Sequence, residues 1–251
     1  MRYKRVVVSR LPVLKRLIPS LRKRVAPLRW PGGWRIAKID GALFLVNYAS
    51  FTDRVMGFDR NWDRAQLAFF LDNVKRRGCE IFLDVGSHIG LYAILVARQA
   101  GCGRIIAFES DPRIYEQLRA NLLLNDLSDR IDTMPIALSD KIGSIPLVAE
   151  TVFGAGEPRS IADGAISVAS RRLDDVLAPA NRRIALKIDI EGHELAALAG
   201  MTNLLHFNDC FVQVECFDAH LATFAATMAA LGYELVHQIA TDRYFAKRVR
   251  P

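Results

Sequence analysis

The pattern of apolar and polar positions along this chain changes period several times, and each change marks a predicted element. Short apolar runs with a two-residue period predict strands, whereas apolar positions three and four residues apart predict helices. The predicted strands beyond residue 79 are 80–85, 104–109, 131–138, 143–149, 183–190, 210–216, 234–238 and 243–247. The predicted helices between them are 89–99, 112–125, 194–205 and 219–231.

This alternation of strands and helices predicts an α/β fold, in which a mostly parallel sheet has helices on both faces. The last two strands differ, because only residues 239–242 separate them. Parallel neighbours need a longer crossover, so we expect an antiparallel pair at the end of the chain. Ligands of such sheets bind beyond the carboxyl ends of the strands, and we expect a site there.

Two further elements precede the alternating region. The pattern predicts a β-hairpin at 36–46 and a helix at 63–77. We therefore divide the chain into a basic N-terminal arm at 1–35, a hairpin and helix at 36–78 that pack on the core, and a main domain at 79–251.

Positive charge is concentrated at the start of the chain. The protein carries +7 at pH 7, and residues 1–39 contain twelve Lys and Arg and no acid, so the remainder is net acidic. Within residues 1–29, apolar residues recur at roughly helical spacing between basic ones, a pattern that suits contact with an anionic membrane surface. A solvated tail, or an arm packed on its own domain, is the alternative.

The overall composition, with 51% hydrophobic and 24% charged residues, is that of a globular protein. No apolar run approaches the roughly 18 residues that a membrane span needs. The four cysteines show no C-x-x-C spacing, which fits a reducing compartment. We expect a cytoplasmic protein that can attach peripherally to the inner membrane surface through its arm.

The stretch FLDVGSHIGLYAIL, residues 82–95, joins a strand-like run to a glycine-containing turn and a helix. Gly86 can adopt backbone angles closed to other residues and admits a ligand close to the main chain, while Gly90 lets the helix approach the strand. Asp84 is expected at the lip of this turn, where it suits a hydrogen-bond donor or a cation. Glu109 ends the next strand, where a carboxylate can accept both hydroxyls of a ribose. The combination predicts a nucleoside with a positive amino-acid tail; the alternative is a structural turn and a surface glutamate.

Five segments occur in a distinctive order and spacing: FLDVGSHIGLYAILVA, IIAFESDPRIYEQLRANLLLN, IALSDKIGSIPL, RRLDDVL and ALKIDIEGHELAALAG. Together they resemble the FkbM family of S-adenosylmethionine-dependent methyltransferases, over roughly residues 60–248. The resemblance implies a Rossmann-like class I methyltransferase fold, with a seven-stranded sheet ordered 3-2-1-4-5-7-6 and strand seven antiparallel. It also implies S-adenosyl-L-methionine as cofactor and O-methylation of a hydroxyl on a sugar, glycolipid or secondary metabolite.

The resemblance also implies which residues contact the cofactor. They are Asp84, Gly86, Ser87, His88, Gly90, Glu109, Ser110, Ala137 and Asp189. The pair Ser87-His88 stands where the family usually has Ala-Asn, and Ser110 stands where it usually has proline. Ser87 and His88 can still form hydrogen bonds, and the ribose carboxylate of Glu109 is kept.

Ionisable side chains are concentrated in KIDIEGHE, residues 187–194, at a predicted strand end. An alcohol is a poor nucleophile, so a base or a metal must take or weaken its proton. Asp189 is the first candidate, as base or as metal ligand, and Lys187 and His193 are further catalytic candidates. Glu215 ends the next strand and could hold a Mg²⁺ together with Asp189. A solvent-facing position at a helix N-terminus is the alternative for His193.

Two rival functions remain open. The basic arm suggests nucleic-acid methylation, but Asp189-Ile-Glu191-Gly192 stands where amino-methylating enzymes carry an Asn/Asp-Pro-Pro-aromatic motif. We therefore expect a small-molecule or glycan acceptor rather than nucleic acid. The other rival is a non-catalytic cofactor-binding scaffold at a membrane surface. The glycine-rich stretch 151–165 is a candidate substrate lid, and 171–177 is interpreted as a strand-to-helix junction.

Overall fold

The computed structural model describes residues 33–58, 63–148, 165–216 and 218–248. The main sheet contains β3 (Ile81–Val85), β4 (Arg104–Phe108), β5 (Ile131–Met134), β9 (Arg183–Ile188), β10 (Asp209–Glu215), β11 (Tyr233–Ile239) and β12 (Asp242–Lys247). The other strands are β1 (Trp34–Ile39) and β2 (Ala42–Asn47), which form a hairpin, and β6 (Ala137–Leu138), β7 (Gly143–Val148) and β8 (Ala165–Arg171), which form a third sheet. The helices are α1 (Phe51–Phe58), α2 (Arg64–Arg77), α3 (Leu91–Gln99), α4 (Pro112–Leu124), α5 (Leu173–Val176), α6 (Glu194–Ala199), α7 (Thr202–Phe207) and α8 (Asp218–Ala230).

The main sheet has the order β11-β12-β10-β9-β3-β4-β5. Its strands from β10 to β5 are parallel, whereas β12 is antiparallel to both of its neighbours. Numbered along the chain, these seven strands lie in the order 3-2-1-4-5-7-6. Helices connect the successive parallel strands, as parallel pairing requires. The predicted α/β class is therefore confirmed, as is the antiparallel pair at the end of the chain.

Two predicted elements are each divided in the structure. The strand predicted at 131–138 is interrupted at Pro135, which has no N–H for a sheet ladder, and becomes β5 and β6. The helix predicted at 194–205 becomes α6 and α7, and the break lies beside Gly200. A Cβ atom at Gly200 would overlap the carbonyl oxygen of Ser139, so the helix end packs directly on another backbone segment.

The hydrophobic period did not predict α1 or β8. In the structure, β8 pairs with both β6 and β7 in the third sheet. The hairpin around residues 40 and 41 and the junction between β8 and α5 are confirmed.

One face of the main sheet changes from apolar to polar toward its carboxyl edge. Phe82 and Ala185 are paired neighbours on β3 and β9 and belong to a buried hydrophobic cluster. Two residues further along, Asp84 and Lys187 are paired in the same way, and Gln213 of β10 is the next neighbour of Lys187. Residues i and i+2 of a strand share a face, so the polar residues continue the apolar row to the edge.

Helix α4 binds the N-terminal hairpin through side-chain amides. Asn125 accepts a hydrogen bond from Leu43 N (3.1 Å) and donates one to Leu43 O (2.6 Å). One turn earlier, Asn121 accepts from Leu45 N (2.6 Å), and Gln117 donates to Leu45 O (2.8 Å). Residues four apart lie on one helix face, so these amides satisfy backbone groups along β2 that would otherwise need another strand.

The predicted arm contact at 1–29 lies outside the described residues, as does nearly all of the predicted lid at 151–165. Within the part of the chain that the structure covers, no helix is both long and apolar enough to cross a membrane. The four cysteines are buried as free thiols.

Replacing Asn121 by Ala tests the amide contacts between α4 and the hairpin. Asn121 is fully buried and also donates to Ile89 O (2.9 Å), so the change leaves buried backbone groups unpaired. We expect the free energy of unfolding, measured by urea denaturation, to fall by about 1–3 kcal/mol. The control is Leu123→Ala on the same helix, where the side chain is 70% exposed and the change should stay within about 0.5 kcal/mol. Equal losses in both variants would contradict this account.

Candidate active site

The turn between β3 and α3 is built from backbone conformations that favour glycine. Gly86 (φ 77°) and Gly90 (φ 89°) are in the left-handed region, and His88 (φ 51°) joins them there. A Cβ atom at Gly86 would overlap the carbonyl oxygen of Asp189, and one at Gly90 would lie 2.6 Å from Leu118 Cδ1. The turn is therefore packed against the end of β9 on one side and against α4 on the other.

Asp84 lies beneath this turn and not at its lip, so the predicted position is wrong. Its side chain is on the sheet face that α3 covers, and the residue is fully buried. One carboxylate oxygen accepts hydrogen bonds from Ser87 Oγ (2.9 Å) and Ala93 N (3.1 Å). The other, Oδ1, has no hydrogen-bond partner among the described residues. Burial raises the pKa of Asp84, against the opposing charge of Lys187.

Glu109 follows β4 and presents a carboxylate whose two oxygens are fixed by backbone. Oε2 accepts from His88 N and Oε1 accepts from Asp111 N, each at 2.8 Å. The residue is 8% exposed, and burial raises its pKa although these N–H groups lower it. Each oxygen keeps a further lone pair, so the group can accept two neighbouring hydroxyls, as the sequence predicted for a ribose.

Lys187 connects the turn to the next strand end. Its ammonium donates to Asp189 Oδ2 (3.1 Å) and to Gly86 O (3.5 Å), and lies 5.0 Å from the centre of the Tyr92 ring. Burial alone would lower the pKa of Lys187, but the negative charges of Asp189 and Asp84 raise it. Lys187 is therefore a buried, permanently charged group that positions Asp189.

Asp189 and Glu215 meet at the carboxyl ends of β9 and β10. A carboxylate oxygen of one lies within 4.8 Å of a carboxylate oxygen of the other, and Thr241 Oγ1 donates to Glu215 Oε1 (2.8 Å). Burial acts to raise the pKa of Asp189, but the charge and hydrogen bond of Lys187 lower it overall. Burial and the charge of Asp189 raise the pKa of Glu215 to about 7. Two neighbouring acids can share one proton, and the one whose pKa is raised can then act as a base near neutral pH.

The same carboxylates include the predicted metal ligands. Among the described residues, one oxygen each from Asp189, Glu191 and Glu215 lie within 4.8 Å of one another. Carboxylate oxygens are ligands that Mg²⁺ accepts, so the donor set suits the predicted ion. The ammonium of Lys187, however, already compensates the charge of Asp189. Metal binding therefore stays a prediction.

His193 immediately precedes α6, and its side chain is hydrogen-bonded to Ser139, near β6. Its Nε2 lies 3.0 Å from Ser139 Oγ, and the Ser139 hydroxyl donates to Asp140 Oδ1 (3.0 Å). The adjacent turn is stabilised by Glu194, whose Oε1 accepts from Ile190 N (3.3 Å) and Gly192 N (3.0 Å). Glu194 therefore stabilises the turn before α6, and an acid in the first turn of a helix also interacts favourably with the helix dipole.

A cleft of about 470 Å³ lies between the third sheet and the ends of β3, β4 and β9. Its walls are largely apolar, with contributions from Phe108, Ile136, Leu138, Ile145, Pro146 and Leu147. Among the described lining residues, only Ser110, Glu191 and His193 have polar side chains. The cleft also reaches Gly86, so it opens beside the turn and beside Glu109. Such an apolar space with few polar groups suits the flat aromatic ring of a nucleobase.

The predicted site residues therefore lie along one edge of the sheet, in two groups. Those that follow β3 and β4, together with one residue of β6, surround the turn and the cleft: Gly86, Ser87, His88, Gly90, Glu109, Ser110 and Ala137. Lys187, Asp189 and Glu215 lie at the ends of β9 and β10. His193 is joined by its hydrogen bond to Ser139, near β6. Contact of these residues with a cofactor stays a prediction.

One residue at the site, Asp53 on α1, was missed by the sequence interpretation. It is 1% exposed, and its Oδ2 accepts from Asn47 N (2.6 Å) and Gln117 Nε2 (2.7 Å). Its Oδ1 lies 3.9 Å from His88 Nε2. Asp53 thereby links the N-terminal segment to the turn. No local signal could reveal it, because α1 itself was not predicted.

The family model described as the methyltransferase FkbM domain matches residues 84–235. The chain is 29% identical to the hexuronic acid methyltransferase AglP of Haloferax volcanii over 54% of this chain and 55% of that protein. It is 30% identical to methyltransferase sdnD of Sordaria araneosa over 47% of this chain and 59% of that protein. The chain thus spans less than two thirds of the curated relatives it matches.

The solved structures agree on the fold. TYW2 of Pyrococcus horikoshii, solved in complex with MeSAdo, has a TM-score of 0.51 and 13% identity, over 94% of this chain and 83% of that chain. That structure therefore shares the overall fold of this chain. The chain itself belongs to the FkbM methyltransferase domain family, since the family model covers more than half of it.

Replacing Gly86 by Ala tests the contact between the turn and β9. The new Cβ would overlap the backbone of Asp189 in a left-handed conformation, so we expect the free energy of unfolding to fall by about 3 kcal/mol or more. Gly101 is the matched control, because it has a similar φ of 75° but open space around it. Gly101→Ala should cost only about 1–2 kcal/mol. Similar losses in denaturant unfolding would show that the turn can move away from β9.

Proposed function

We propose that this protein binds S-adenosyl-L-methionine and transfers its methyl group to a hydroxyl of a sugar, glycolipid or secondary metabolite. The observation that carries the proposal is that two sets of acidic side chains lie on either side of Gly86, at one edge of the sheet. Glu109 offers a fixed acceptor pair on one side of Gly86, and the Asp189–Glu215 pair lies on the other. Membership of the FkbM family supports methyl transfer. The relative named a hexuronic acid methyltransferase supports a sugar-like acceptor.

The residues present fit the cofactor. Glu109 would hold the ribose hydroxyls, and the apolar cleft beside Ser110 would hold the adenine. The turn at Gly86 would hold the charged amino-acid tail, and the carboxyl group of Asp84, whose Oδ1 has no partner among the described residues, would lie beneath it. An acceptor oxygen without a partner, deep in the fold, is costly unless a donor reaches it.

The acid pair supplies the acid–base chemistry in this proposal. When bound, the cofactor would supply an electrophilic methyl group for the acceptor oxygen, and the electron pair of the carbon–sulfur bond would stay on sulfur. The hydroxyl proton of the acceptor passes to the Asp189–Glu215 pair. Lys187 keeps Asp189 ionised and in place, so it positions the pair rather than reacting. The pKa of Glu215, about 7, suits a general base at neutral pH.

Isothermal calorimetry with S-adenosyl-L-methionine, followed by transfer of a labelled methyl group, tests the proposal. We expect micromolar binding, and label in hydroxyl-bearing acceptors such as hexuronic acids or glycolipids. Glu109→Ala should weaken binding by about 100-fold, because two hydrogen bonds to a charged group are lost. Glu116→Ala, at an exposed position on α4, is the control and should bind like the wild type.

Two outcomes would contradict this function. An absence of binding by the wild-type protein would remove the cofactor from the account. Label recovered in RNA or DNA, with none in hydroxyl-bearing small molecules or glycans, would favour the rival nucleic-acid substrate.

The acid pair makes the reaction depend on pH. Glu215 is protonated below its pKa of about 7 and ionised above it, so only the higher pH leaves a base free. We expect kcat/KM to rise about tenfold per pH unit below 7 and to level off above. Glu215→Gln should abolish this rise and lower kcat by about 100-fold or more. Glu234→Gln, at an exposed position on β11, should keep the wild-type profile.

The two acids could bind a divalent cation instead of sharing a proton. Removal of metal with a chelator distinguishes these two possibilities. Dialysis against EDTA should leave kcat/KM unchanged if the proton is shared between the acids. A loss of activity that Mg²⁺ restores would instead assign Asp189, Glu191 and Glu215 as metal ligands.

A further inference from the structure

His193 lies at the cofactor end of the site rather than with the acid pair. It lines the cleft together with Ser110 and Ala137, and its ring is bonded to Ser139 at the end of β6. The acid pair, Asp189 and Glu215, lies at the ends of β9 and β10, and neither residue is among those that line the cleft. The ring is therefore directed to the part of the site where the proposed function places the adenine.

Ser139 is itself rigidly placed. It is 1% exposed, its N–H donates to Arg171 O (2.9 Å), and its carbonyl packs against Gly200. Its hydroxyl therefore occupies a fixed point between the His193 ring and the Asp140 carboxylate, 3.0 Å from each. A histidine held by such a fixed partner has one orientation available to its ring.

The hydrogen bonds also determine which ring nitrogen carries the hydrogen. A carboxylate has no hydrogen to donate, so the hydrogen between Ser139 and Asp140 is that of the serine hydroxyl. The serine oxygen can then only accept from His193, which requires a hydrogen on Nε2. In the neutral ring, Nδ1 is consequently left as a hydrogen-bond acceptor.

We propose that Asp140, Ser139 and His193 form a relay that presents Nδ1 of His193 as the acceptor for the exocyclic amino group of the cofactor's adenine. This inference rests on the proposed function, because it assumes that the cofactor binds with its base in the cleft. His193 is then a specificity-determining residue, and Ser139 and Asp140 position it. The acceptor's hydroxyl proton is left to the acid pair.

The apolar character of the cleft explains why a single hydrogen-bond acceptor there, Nδ1 of His193, would have a large effect on the affinity for the base. Its walls are mainly apolar, so an amino group placed there needs a protein acceptor. A base with a carbonyl oxygen in place of the amino group has no hydrogen to donate at that position, although its adjacent ring nitrogen gains one. Its oxygen would face the lone pair of Nδ1. Sites built to receive a particular hydrogen bond reject analogues that lack it.

The test compares two ligands, S-adenosylhomocysteine and S-inosylhomocysteine, which differ in this amino group. We expect the wild type to bind the adenosine compound at least about tenfold more tightly, the value of one well-formed hydrogen bond. His193→Ala should lose most of this preference, mainly by weaker binding of the adenosine compound. Ser139→Ala should also reduce the preference, because the hydrogen is no longer fixed on Nε2. His206→Ala, an exposed histidine on α7, is the matched control and should keep the wild-type ratio.

Other outcomes overturn the inference or the function beneath it. A wild type that binds both compounds equally would contradict the relay. A His193→Ala variant that keeps the full preference and loses only kcat would show instead that His193 acts on the acceptor. A wild type that binds neither compound would overturn the proposed function itself. If His193→Ala fails to fold, the preference of Ser139→Ala decides, and an unchanged ratio there contradicts the relay.

Discussion

The direct backbone contact between Gly86 and Asp189 is the constraint on which the rest of the site depends. There is no room for a Cβ atom at Gly86, and Asp189 N also donates to Val85 O (3.0 Å). Lys187 closes the same junction from the sheet face by donating to both residues. The turn that would receive the cofactor and the acid that would face the acceptor are therefore fixed relative to each other. Such preorganisation is what an in-line displacement needs from its protein.

The electrostatics of the site follow from the polar row at the carboxyl edge of the sheet. Within the described residues, several buried or half-buried acids surround Lys187: Asp63, Asp84, Asp189, Glu215 and Asp242. One ammonium cannot compensate all of them, and burial raises the pKa of Asp63 and Asp84 and raises that of Asp242 to about 6. An excess of negative charge in a low-dielectric site favours a ligand that carries positive charge. A sulfonium cofactor with an ammonium tail has that property.

Much of this arrangement could be predicted from local pattern. The glycine turn, Glu109 and the strand ends are visible because parallel strands are short, apolar and followed at once by their site residues. The position of Asp84 was predicted wrongly because this strand residue was treated as part of the turn. Asp84 is two residues from Phe82 in β3, so both side chains lie on the face beneath α3. Ser139 lies 54 residues from His193, and Asp53 is on an unpredicted helix, so only tertiary structure shows their contacts.

The division of the edge into a cofactor half and an acceptor half is the central claim, and a crystal structure with bound S-adenosylhomocysteine tests it most directly. The account predicts both ribose hydroxyls on the carboxylate of Glu109, the base in the apolar cleft and the sulfur directed toward Asp189. A nucleoside bound outside this cleft, or a sulfur atom directed away from the Asp189–Glu215 pair, would contradict it.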